Sequence, residues 1–416
     1  MKVIVMGSGV IGVTTAWYLH QAGHEVTVVD RQPVSGLETS FANAGQISAS
    51  HAQPWANPGA PLSLLKGLGR EESALLFRLR ADPAQWLWGI RFLRECLPGR
   101  TRRNTASLLA LGVYSRSVLA QLRGETGIEY DAICKGILHL YTDYKSLTEA
   151  ADRARDYRAL GYRMEVLGAS ECVRVEPALR AARTSWVGGT YAPDDEAGDA
   201  HAFTRAVERY AVAHGVKFSF GCTVQRIEQE ANQVTGLRVT NRLGESEVMR
   251  ADAYVSCLGV ESPLLLRQIG VALPIFPVKG YSVTIPIERP DEAPLVSVTH
   301  ERWKLFSSRL GARLRIAGTA EWTGYDRAIT PTRCDALLRQ ARLLFPTAGD
   351  YDQVQRWAGL RPATPSNCPI IGRSRYGNLF LNTGHGSLGW TLACGSARAV
   401  ADLVSGRRPE VDYAFQ

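Results

Sequence analysis

A glycine-rich segment near the start of the chain has the spacing of a dinucleotide-binding loop. Its glycines are Gly7, Gly9 and Gly12, and the segment reads Gly-Ser-Gly-Val-Ile-Gly. In such a loop the first glycine permits a tight turn, the second lets the backbone approach a pyrophosphate, and the third lets a helix and a strand pack closely. The N-terminus of the following helix offers free N–H groups to phosphates. We therefore predict that this segment binds a dinucleotide.

An acidic residue at the end of the next predicted strand fits the same chemistry. Asp30 follows residues 25–29, which form the predicted strand. A carboxylate at this position accepts hydrogen bonds from ribose hydroxyls and repels the 2′-phosphate of NADP. The motif does not separate FAD from NAD, and a tight turn without a ligand is the structural alternative.

These residues require a βαβ unit to position them. Residues 2–6 are typical of a buried parallel strand, and residues 10–22 have helical character. Similar units recur near residues 200–260 and at the end of the chain, with antiparallel-looking segments between them. We predict an α/β fold: a Rossmann-type dinucleotide-binding domain assembled from discontinuous segments, with an inserted α+β substrate domain carrying a mainly antiparallel sheet. The predicted segments are 1–50, 200–262 and 352–416 for the first domain, and 51–199 and 263–351 for the second.

Charge and cysteine content argue against several classes of protein. The net charge is +8, but the basic residues form no long block, so we predict no nucleic-acid partner. The eight cysteines include no C-x-x-C pair, so we predict no metal site, and a reducing cytoplasm fits them best. The N-terminus lacks a signal-peptide pattern, and we find no run of about 18 apolar residues that could span a membrane.

Several later segments carry motifs of a known family. They begin at Glu38 (ETSFANAGQIS), Pro277 (PVKGYS), Trp357 (WAGLRPATP) and Asn382 (NTGHGSLGWT), and residues 193–199 (PDDEAGD) add a fifth. Together they resemble the bacterial D-amino-acid dehydrogenases, within the D-amino-acid oxidase-like family of FAD-dependent oxidoreductases. The resemblance extends from the first residue to about residue 409.

The chain departs from the pattern at one position. Ser366 stands where the resemblance leads us to expect an acid, and the C-terminus also ends early. Both departures bear on substrate preference more than on the cofactor.

The resemblance implies an activity and its partners. It implies FAD-dependent oxidative deamination of D-amino acids, with D-alanine as the expected substrate, by hydride transfer from Cα to flavin N5. It further implies a quinone or other respiratory electron acceptor and peripheral contact with the inner face of the plasma membrane. The alternatives are a dehydrogenase or oxidase of D-hydroxyproline or another secondary amine, a nicotinamide-dependent enzyme on the same loop, and a non-catalytic flavin-binding subunit.

Three side chains are predicted to act on the substrate. A planar guanidinium holds a carboxylate through two parallel hydrogen bonds, so Arg361, in Gly-Leu-Arg-Pro, is the predicted carboxylate clamp. Tyr281 is predicted to hydrogen-bond the same carboxylate, and Gln46 to face the substrate near flavin N5. The alternatives are a surface arginine at position 361 and core packing at the other two positions.

The predicted cofactor contacts combine the glycine loop with positions that the resemblance implies. The resemblance places residues 40–46 along the pyrophosphate and isoalloxazine, and residues 384–389 around the flavin pyrimidine ring. The predicted contacts are Gly7, Ser8, Gly9, Val10, Ile11, Gly12, Asp30, Arg31, Ser40, Asn43, Ala44, Gly45, Val224, Gly259, Gly384, Gly386, Ser387, Leu388 and Gly389.

One helical stretch has the composition of a membrane-surface segment. Its aromatic and aliphatic side chains alternate with arginines, which is typical of an interfacial helix, and core packing is the alternative. The residues are Trp86, Trp88, Arg91, Phe92, Leu93 and Arg94.

Overall fold

The structure is a computed structural model that describes residues 1–67, 74–78 and 80–415. Strands and helices alternate at both ends of the chain, and strands dominate its middle. The strands are β1 (Lys2–Met6), β2 (Glu25–Asp30), β3 (Gln46–Ile47), β4 (Leu75–Phe77), β5 (Ile137–Tyr141), β6 (Glu165–Gly168), β7 (Gly188–Ala192), β8 (Glu196–Ala197), β9 (Lys217–Phe220), β10 (Thr223–Glu230), β11 (Gln233–Thr240), β12 (Ser246–Met249), β13 (Ala253–Ser256), β14 (Phe276–Pro286), β15 (Ser297–His300), β16 (Leu305–Leu310), β17 (Arg313–Trp322), β18 (Gln355–Ala363), β19 (Ile370–Arg373) and β20 (Leu379–Thr383). The α-helices are α1 (Val10–Gln21), α2 (Ala60–Gly67), α3 (Pro83–Glu95), α4 (Pro98–Thr126), α5 (Tyr144–Ala159), α6 (Ala169–Val175), α7 (Ala200–Ala213), α8 (Ser262–Leu266), α9 (Pro331–Leu344) and α10 (Gly389–Val404).

A six-stranded sheet brings together distant parts of the chain. Its order is β19-β20-β13-β1-β2-β9, and every pair is parallel except β19 with β20. β1 is central because its residues 3–6 are apolar and buried on both faces, as parallel strands require. Buried residues of α1, α4, α7 and α10 share one hydrophobic core with this sheet. The glycine loop therefore leaves the sheet at the carboxyl end of its central strand, where ligands of such sheets bind.

A nine-stranded, mainly antiparallel sheet forms the second layer. Its order is β18-β14-β17-β16-β15-β5-β7-β6, with β4 beside β17, and only the pairs β15–β5 and β17–β4 are parallel. One face packs on α9 through buried apolar residues such as Val283, Ile316 and Leu337. The other face carries polar residues, and Ser282 donates to the Ala42 carbonyl at 2.7 Å. Successive side chains of a strand point to opposite faces of the sheet, so the polar side chains share one face. Through Ser282, this polar face meets the segment that follows β2.

The predicted α/β fold class is confirmed by these two sheets. The domain boundaries stay a prediction. β18 lies within the predicted segment 352–416, but it pairs with β14 in the nine-stranded sheet. We propose that the last segment of the first domain begins after residue 363. Among the residues that the structure describes, no helix has both the length and the apolar character needed to cross a bilayer.

Candidate active site

Two adjoining cavities lie at the carboxyl ends of the parallel strands. The first has a volume of about 390 Å³ and is lined by the glycine loop, the ends of β2 and β13, and the start of α10. The second, of about 630 Å³, lies against the polar face of the nine-stranded sheet. An elongated ligand can extend from one cavity into the other, because they share wall residues. The shared residues are Thr39, Asn43, Arg361, Ser387 and Trp390.

The glycine loop has the close packing that its spacing predicts. Gly7 has φ of +99°, and its N–H donates to the Val29 carbonyl at 2.9 Å. A Cβ at Gly12 would lie 1.8 Å from the Gly7 carbonyl oxygen, so only glycine fits there. Gly9 and Val10 line the first cavity, and the Val10 N–H donates to Ser40 Oγ at 3.0 Å. The turn thus brings bare backbone to the cavity wall.

Asp30 lines the first cavity at the end of β2. Its Oδ2 accepts hydrogen bonds from Ser8 N at 2.6 Å and Ser8 Oγ at 2.7 Å, while Oδ1 accepts from Gln32 N at 2.8 Å. These bonds fix the carboxylate beside the glycine loop. Oδ2 already accepts two hydrogen bonds, but Oδ1 accepts one and has a further lone-pair direction, so acceptance from a ribose remains compatible with this geometry.

A four-membered ion-pair cluster borders the first cavity and includes the predicted contact Arg31. Arg31 pairs with Glu38 at 2.8 Å and with Glu261 at 3.3 Å. Arg327 pairs with both acids, reaching Glu261 at 2.9 Å. Burial alone would raise the pKa of Glu38, but hydrogen bonds from Arg31 and Gln32 outweigh it and lower the pKa. Arg327 follows β17, so the cluster connects the nine-stranded sheet with loops of the six-stranded sheet. The sequence analysis did not predict this cluster.

Most of the other predicted cofactor residues line one of the cavities, and their roles stay a prediction. Three positions line neither cavity: Ser8, Gly12 and Gly384. Gly384 has φ of +78°, and a Cβ there would lie 2.8 Å from Thr364 Cγ2, so the backbone at this position requires glycine, and its predicted contact with the cofactor stays a prediction. The predicted positions that line the first cavity are Gly7, Gly9, Val10, Ile11, Asp30, Arg31, Ser40, Asn43, Val224, Gly259, Gly386, Ser387 and Gly389, and those that line the second are Asn43, Ala44, Gly45, Ser387 and Leu388.

The entry to α10 directs a helix N-terminus at both cavities. Residues 386–388 form one 3₁₀ turn, and Gly389 begins the helix. His385 before this turn is buried, and its Nε2 lies 3.1 Å from Ser396 Oγ. Burial lowers the pKa of His385 to about 3, so its ring is neutral. Positive potential at this point therefore comes from the helix dipole.

Arg361 lies where the two cavities meet. Its Nη1 donates to the Thr319 carbonyl at 2.9 Å, and its guanidinium lies 5.8 Å from the ring centre of Trp55. Gly280 on β14 faces it, and a Cβ there would lie 2.3 Å from Arg361 Cζ. Burial, reinforced by the nearby charge of Arg333, lowers the pKa of Arg361 to about 10, so it stays protonated at neutral pH.

The guanidinium of Arg361 has no acidic partner in the described part of the chain. A half-buried cation without a counter-ion is costly unless an anion completes it. The geometry therefore suits Arg361 to an anionic ligand group.

Gln46 lines the second cavity from β3. Its Nε2 donates to Ser297 Oγ at 2.8 Å and to Thr299 Oγ1 at 3.1 Å. Both partners lie on β15, so the amide is held against the polar face of the sheet. Its predicted contact with a substrate stays a prediction.

Tyr281 also borders the second cavity, but its hydroxyl already has partners. The oxygen lies within hydrogen-bond distance of Glu321 and 3.0 Å from Thr330 Oγ1. Its ring belongs to the apolar cluster under α9. Burial raises the pKa of Tyr281, so the hydroxyl keeps its proton. Binding a substrate carboxylate would require an exchange of these hydrogen bonds, and that role stays a prediction.

A buried polar group beneath the second cavity was missed in the sequence. It contains Ser50, His51, His139, Asp195 and Glu301, which come from four separate segments. Asp195 accepts from Ala49 N at 3.1 Å and Ser50 N at 3.2 Å. Only Asp195 lay inside a quoted motif, residues 193–199, and nothing in the spacing of the others relates them.

Two histidines and an acid of this group stand close enough together to hold a metal ion. The ligand atoms of His51, His139 and Glu301 lie within 4.8 Å of one another. Lys304 Nζ, however, lies 2.6 Å from Glu301 Oε2 and already neutralises that carboxylate. We assign no metal here, because a cation would have to displace or tolerate the lysine, and the prediction about metals stays a prediction.

Comparisons with known proteins agree on one family. Residues 2–403 match the family described as DAO, FAD dependent oxidoreductase. The chain is 54% identical to the D-amino acid dehydrogenase of Dechloromonas aromatica (strain RCB), covering 100% of this chain and 99% of that one. It is 51% identical to that of Paramagnetospirillum magneticum (strain ATCC 700264 / AMB-1), covering 98% and 96%.

Solved structures share the fold. Glycine oxidase from Geobacillus kaustophilus superposes with a TM-score of 0.76 at 22% identity, over 99% of this chain and 96% of that one. L-Proline dehydrogenase from P. horikoshii gives a TM-score of 0.73 at 18% identity, over 98% and 94%. At these identities the likeness concerns the fold alone.

Proposed function

Because the chain belongs to the DAO family of FAD dependent oxidoreductases, we propose that it oxidises the Cα–N bond of D-amino acids, with D-alanine as the first substrate to test. The predicted cofactor, FAD, and the predicted class of enzyme, an oxidoreductase, are confirmed by this membership. The proposal of D-amino acids is supported by the two dehydrogenases of that name, which match almost the entire chain.

The first cavity fits the nucleotide half of FAD. Gly7 and Gly9 leave its wall without side chains, and the close contact at Gly12 keeps α1 against the loop. The N-terminus of α1 and the carboxylate of Asp30 supply the donors and acceptors that a pyrophosphate and a ribose need. Val224 lines the same cavity and is the proposed adenine contact. The second cavity adjoins this one and has room for the isoalloxazine and a small substrate.

The unpaired Arg361 is the observation that carries the proposal. FAD, when bound, accepts the hydride that leaves Cα. Arg361 would hold the substrate carboxylate by two parallel hydrogen bonds. The carboxylate would then be the counter-ion that Arg361 does not have among the described residues. The α10 entry would favour the negative charge that develops on the reduced ring. Gln46 would border the substrate, and Tyr281 would support the pocket wall through Glu321.

We further propose that the electrons pass to a quinone or similar acceptor at a membrane surface. The interfacial stripe predicted from sequence divides in the structure, since Trp88 and Phe92 are core residues and Leu93 is 53% exposed. Exposed Arg91 and Arg94 lie on the same helix, α3. The outward apolar side chains of α3 and its end, hereafter the α3 face, are Trp86, Leu87, Ile90, Leu93 and Leu97. An apolar face with arginines beside it suits the surface of an anionic bilayer.

Anaerobic reduction of the bound flavin tests the proposed function directly. We expect D-alanine to bleach the visible absorbance of the purified holoenzyme and L-alanine to leave it unchanged. Faster bleaching by D-hydroxyproline or N-methyl amino acids than by D-alanine would move the assignment to secondary amines. The proposal would be wrong if no D-amino acid reduced the flavin while dithionite did.

A further inference from the structure

A chain of hydrogen-bonded side chains leads from the second cavity toward the surface. Ser48 Oγ lies 2.9 Å from Ser50 Oγ, which lies 3.1 Å from His139 Nε2. The other ring nitrogen, Nδ1, lies 3.0 Å from Glu301 Oε1, and Glu301 Oε2 accepts from Lys304 Nζ at 2.6 Å. All five residues line the cavity that Arg361 also lines. Ser48, Ser50 and His139 are buried, whereas the side chain of Lys304 is 47% exposed.

The partners of His139 determine which nitrogen carries its proton. Burial alone would raise the pKa of Glu301, but the charge of Lys304 and the hydrogen bond from His139 hold it well below its usual range. Glu301 is therefore a carboxylate, and it must accept a hydrogen bond from Nδ1–H of the ring. The lone pair of Nε2 then points at Ser50. This is the tautomer that can receive a proton through the Ser50 hydroxyl, and the nearby carboxylate would stabilise the imidazolium that results.

Four charged groups lie around the paired rings of His139 and His51. They are the carboxylates of Glu301 and Asp195 and the cations of Lys304 and Arg153. His51 stacks on His139 with ring centres 5.0 Å apart. Burial lowers the pKa of His51 to about 3, so this neighbour stays neutral and adds no competing charge. The nearest charge is that of Glu301, which favours the protonated ring.

Oxidation of an amino acid releases a proton as well as a hydride. At neutral pH the substrate is an ammonium ion, and its nitrogen has no lone pair until one N–H bond breaks. Once that bond has broken, the lone pair forms the C=N bond while the Cα–H electron pair leaves as hydride to FAD. The reaction therefore needs a proton acceptor in addition to an anion clamp.

We propose that His139, oriented by Glu301, accepts the proton lost by the substrate's ammonium group, by way of Ser48 and Ser50. The substrate N–H bond breaks, the proton moves along the two hydroxyls, and an Nε2–H bond forms. After the product has left, the Nε2–H bond breaks and the proton returns through the two hydroxyls to water in the cavity, which restores the Nδ1–H tautomer. This inference rests on the proposed function, and it names His139 as a proton acceptor that acts through Ser50 without touching the substrate.

The pH profile of the holoenzyme variant His139→Gln tests the relay. Proton transfer by a positioned group contributes about 10²-fold or more, so we expect kcat/KM for D-alanine to fall by about that factor at pH 7. The loss should shrink as the pH approaches the pKa of the substrate ammonium group, because solution then supplies the free amine. A variant whose rate loss is the same at every pH, or which loses nothing, would overturn the relay.

A control histidine separates the relay from loss of a buried ring. His24 Nε2 also lies 2.9 Å from a serine hydroxyl, that of Ser405, but neither residue lines the two cavities. We expect His24→Gln to keep the pH profile of the parent enzyme. Glu301→Gln should shift the profile in the same direction as His139→Gln, because it removes the carboxylate that sets the tautomer.

The tautomer gives a readout that does not depend on activity. The chain has eight histidines, few enough to assign the His139 signal in a ¹⁵N-histidine spectrum of the holoenzyme by its loss in His139→Gln. At pH 7 we expect the Nδ1–H tautomer in the parent and a change of tautomer population in Glu301→Gln. An Nε2–H tautomer in the parent would overturn the relay even if Glu301→Gln does not fold. Failure of the parent flavin to bleach with D-amino acids would instead count against the proposed function.

Discussion

At the scale of single residues, the candidate site contrasts one acid that has several basic neighbours with one arginine that has no acidic partner among the described residues. Glu321 is buried and lies near Arg78, 3.8 Å from Lys279 and 4.0 Å from Arg333. Arg361, in contrast, faces the junction of the two cavities, where its guanidinium meets the Thr319 carbonyl and the ring of Trp55. A buried charge is stable when it is paired. The fold itself supplies the partners of Glu321, whereas a ligand would supply the partner of Arg361.

Replacing Arg361 tests the anion clamp. We expect Arg361→Ala to weaken the interaction with D-alanine by about 2–5 kcal/mol, the cost of leaving a charged partner unpaired. Arg361→Lys should recover only part of this loss, since an ammonium cannot form two parallel bonds. The measurements are KM for D-alanine and the dissociation constant of propionate from the holoenzyme.

Arg356 provides the matched control for the clamp. It lies on the same strand, β18, but is 42% exposed and pairs with Asp335. Arg356→Ala should leave both constants close to those of the parent. Equal effects of the two alanine substitutions would contradict a specific role for Arg361.

The acid Glu321 makes stability sensitive to low pH. Burial alone would raise its pKa, but hydrogen bonds from Tyr281 and Arg78 and the charge of Lys279 outweigh it and lower the pKa below 4.5. A group with a lowered folded-state pKa stabilises the fold above its unfolded pKa and loses this effect as the pH falls through the folded value. Urea unfolding should therefore show a smaller stability loss between pH 7 and pH 3 in Glu321→Gln than in the parent.

An exposed acid serves as the comparison for Glu321. Glu25 also has a lowered pKa, chiefly because of its hydrogen bond with Lys217, but its side chain is 51% exposed. Exposed ion pairs contribute little to stability, so Glu25→Gln should follow the pH dependence of the parent. The role of Glu321 would be refuted if its variant followed the same curve.

At the scale of secondary-structure elements, tight backbone packing fixes where α1 and the cofactor loop lie relative to each other. The helix can begin at Val10 only because Gly12 leaves space for the Gly7 carbonyl. The entry to α10 depends on a similar contact, since Gly384 meets Thr364. Both helix starts line the first cavity, so the placement of donors for FAD follows from how tightly each helix packs on its strand.

Two glycines within helices have opposite predicted effects when replaced by alanine. Gly12→Ala would place Cβ 1.8 Å from a carbonyl oxygen, so we expect weaker retention of FAD and a lower melting temperature. Gly124 in α4 has no atom within 4 Å of its added Cβ, and Gly124→Ala should stabilise by up to about 1 kcal/mol. Thermal unfolding followed by flavin fluorescence measures both. Similar melting temperatures for the two variants would show that helix propensity, not packing, governs the loop.

At the scale of the whole molecule, the α3 face combines exposed apolar side chains with the positive charge of the chain. The net charge is +8, and the α3 face exposes five large apolar side chains. Ile90 on this face is 65% exposed. Water-exposed apolar surface of this kind commonly marks an interaction site, and the neighbouring Arg91 and Arg94 favour an anionic one.

Vesicle binding tests the α3 face. We expect the parent to sediment with vesicles of phosphatidylglycerol and phosphatidylcholine, and the double variant Ile90→Glu and Leu93→Glu to stay in solution, because it adds two negative charges to an apolar contact. Leu243→Glu is the matched control, since Leu243 is 83% exposed in a distant hairpin turn. Equal sedimentation of parent and double variant would exclude this face as the membrane contact.

The local pattern of residues determined the elements that are set by short-range rules. The loop from Gly7 to Gly12, the strand before it and the acid at position 30 follow from the sterics of glycine and the burial of a parallel strand. The turn at residues 241–244 is likewise set by local turn residues, and the strands beside it form the antiparallel pair β11–β12. The family motifs also placed Arg361 at the candidate site, although its role is still a prediction.

Tertiary structure alone decided which distant residues meet. His139 and Glu301 are separated by a long stretch of chain, and the pairing of β5 with β15 brings them together, while Ser50 reaches His139 from the turn at residues 49–51. Strand pairing likewise brings the Tyr281 hydroxyl within hydrogen-bond distance of Glu321. It also places β18 in the nine-stranded sheet, although the sequence analysis assigned residues 352–416 to the first domain. Periodicity reports which face of a strand is buried, but which partner lies against that face depends on long-range pairing that no local pattern encodes.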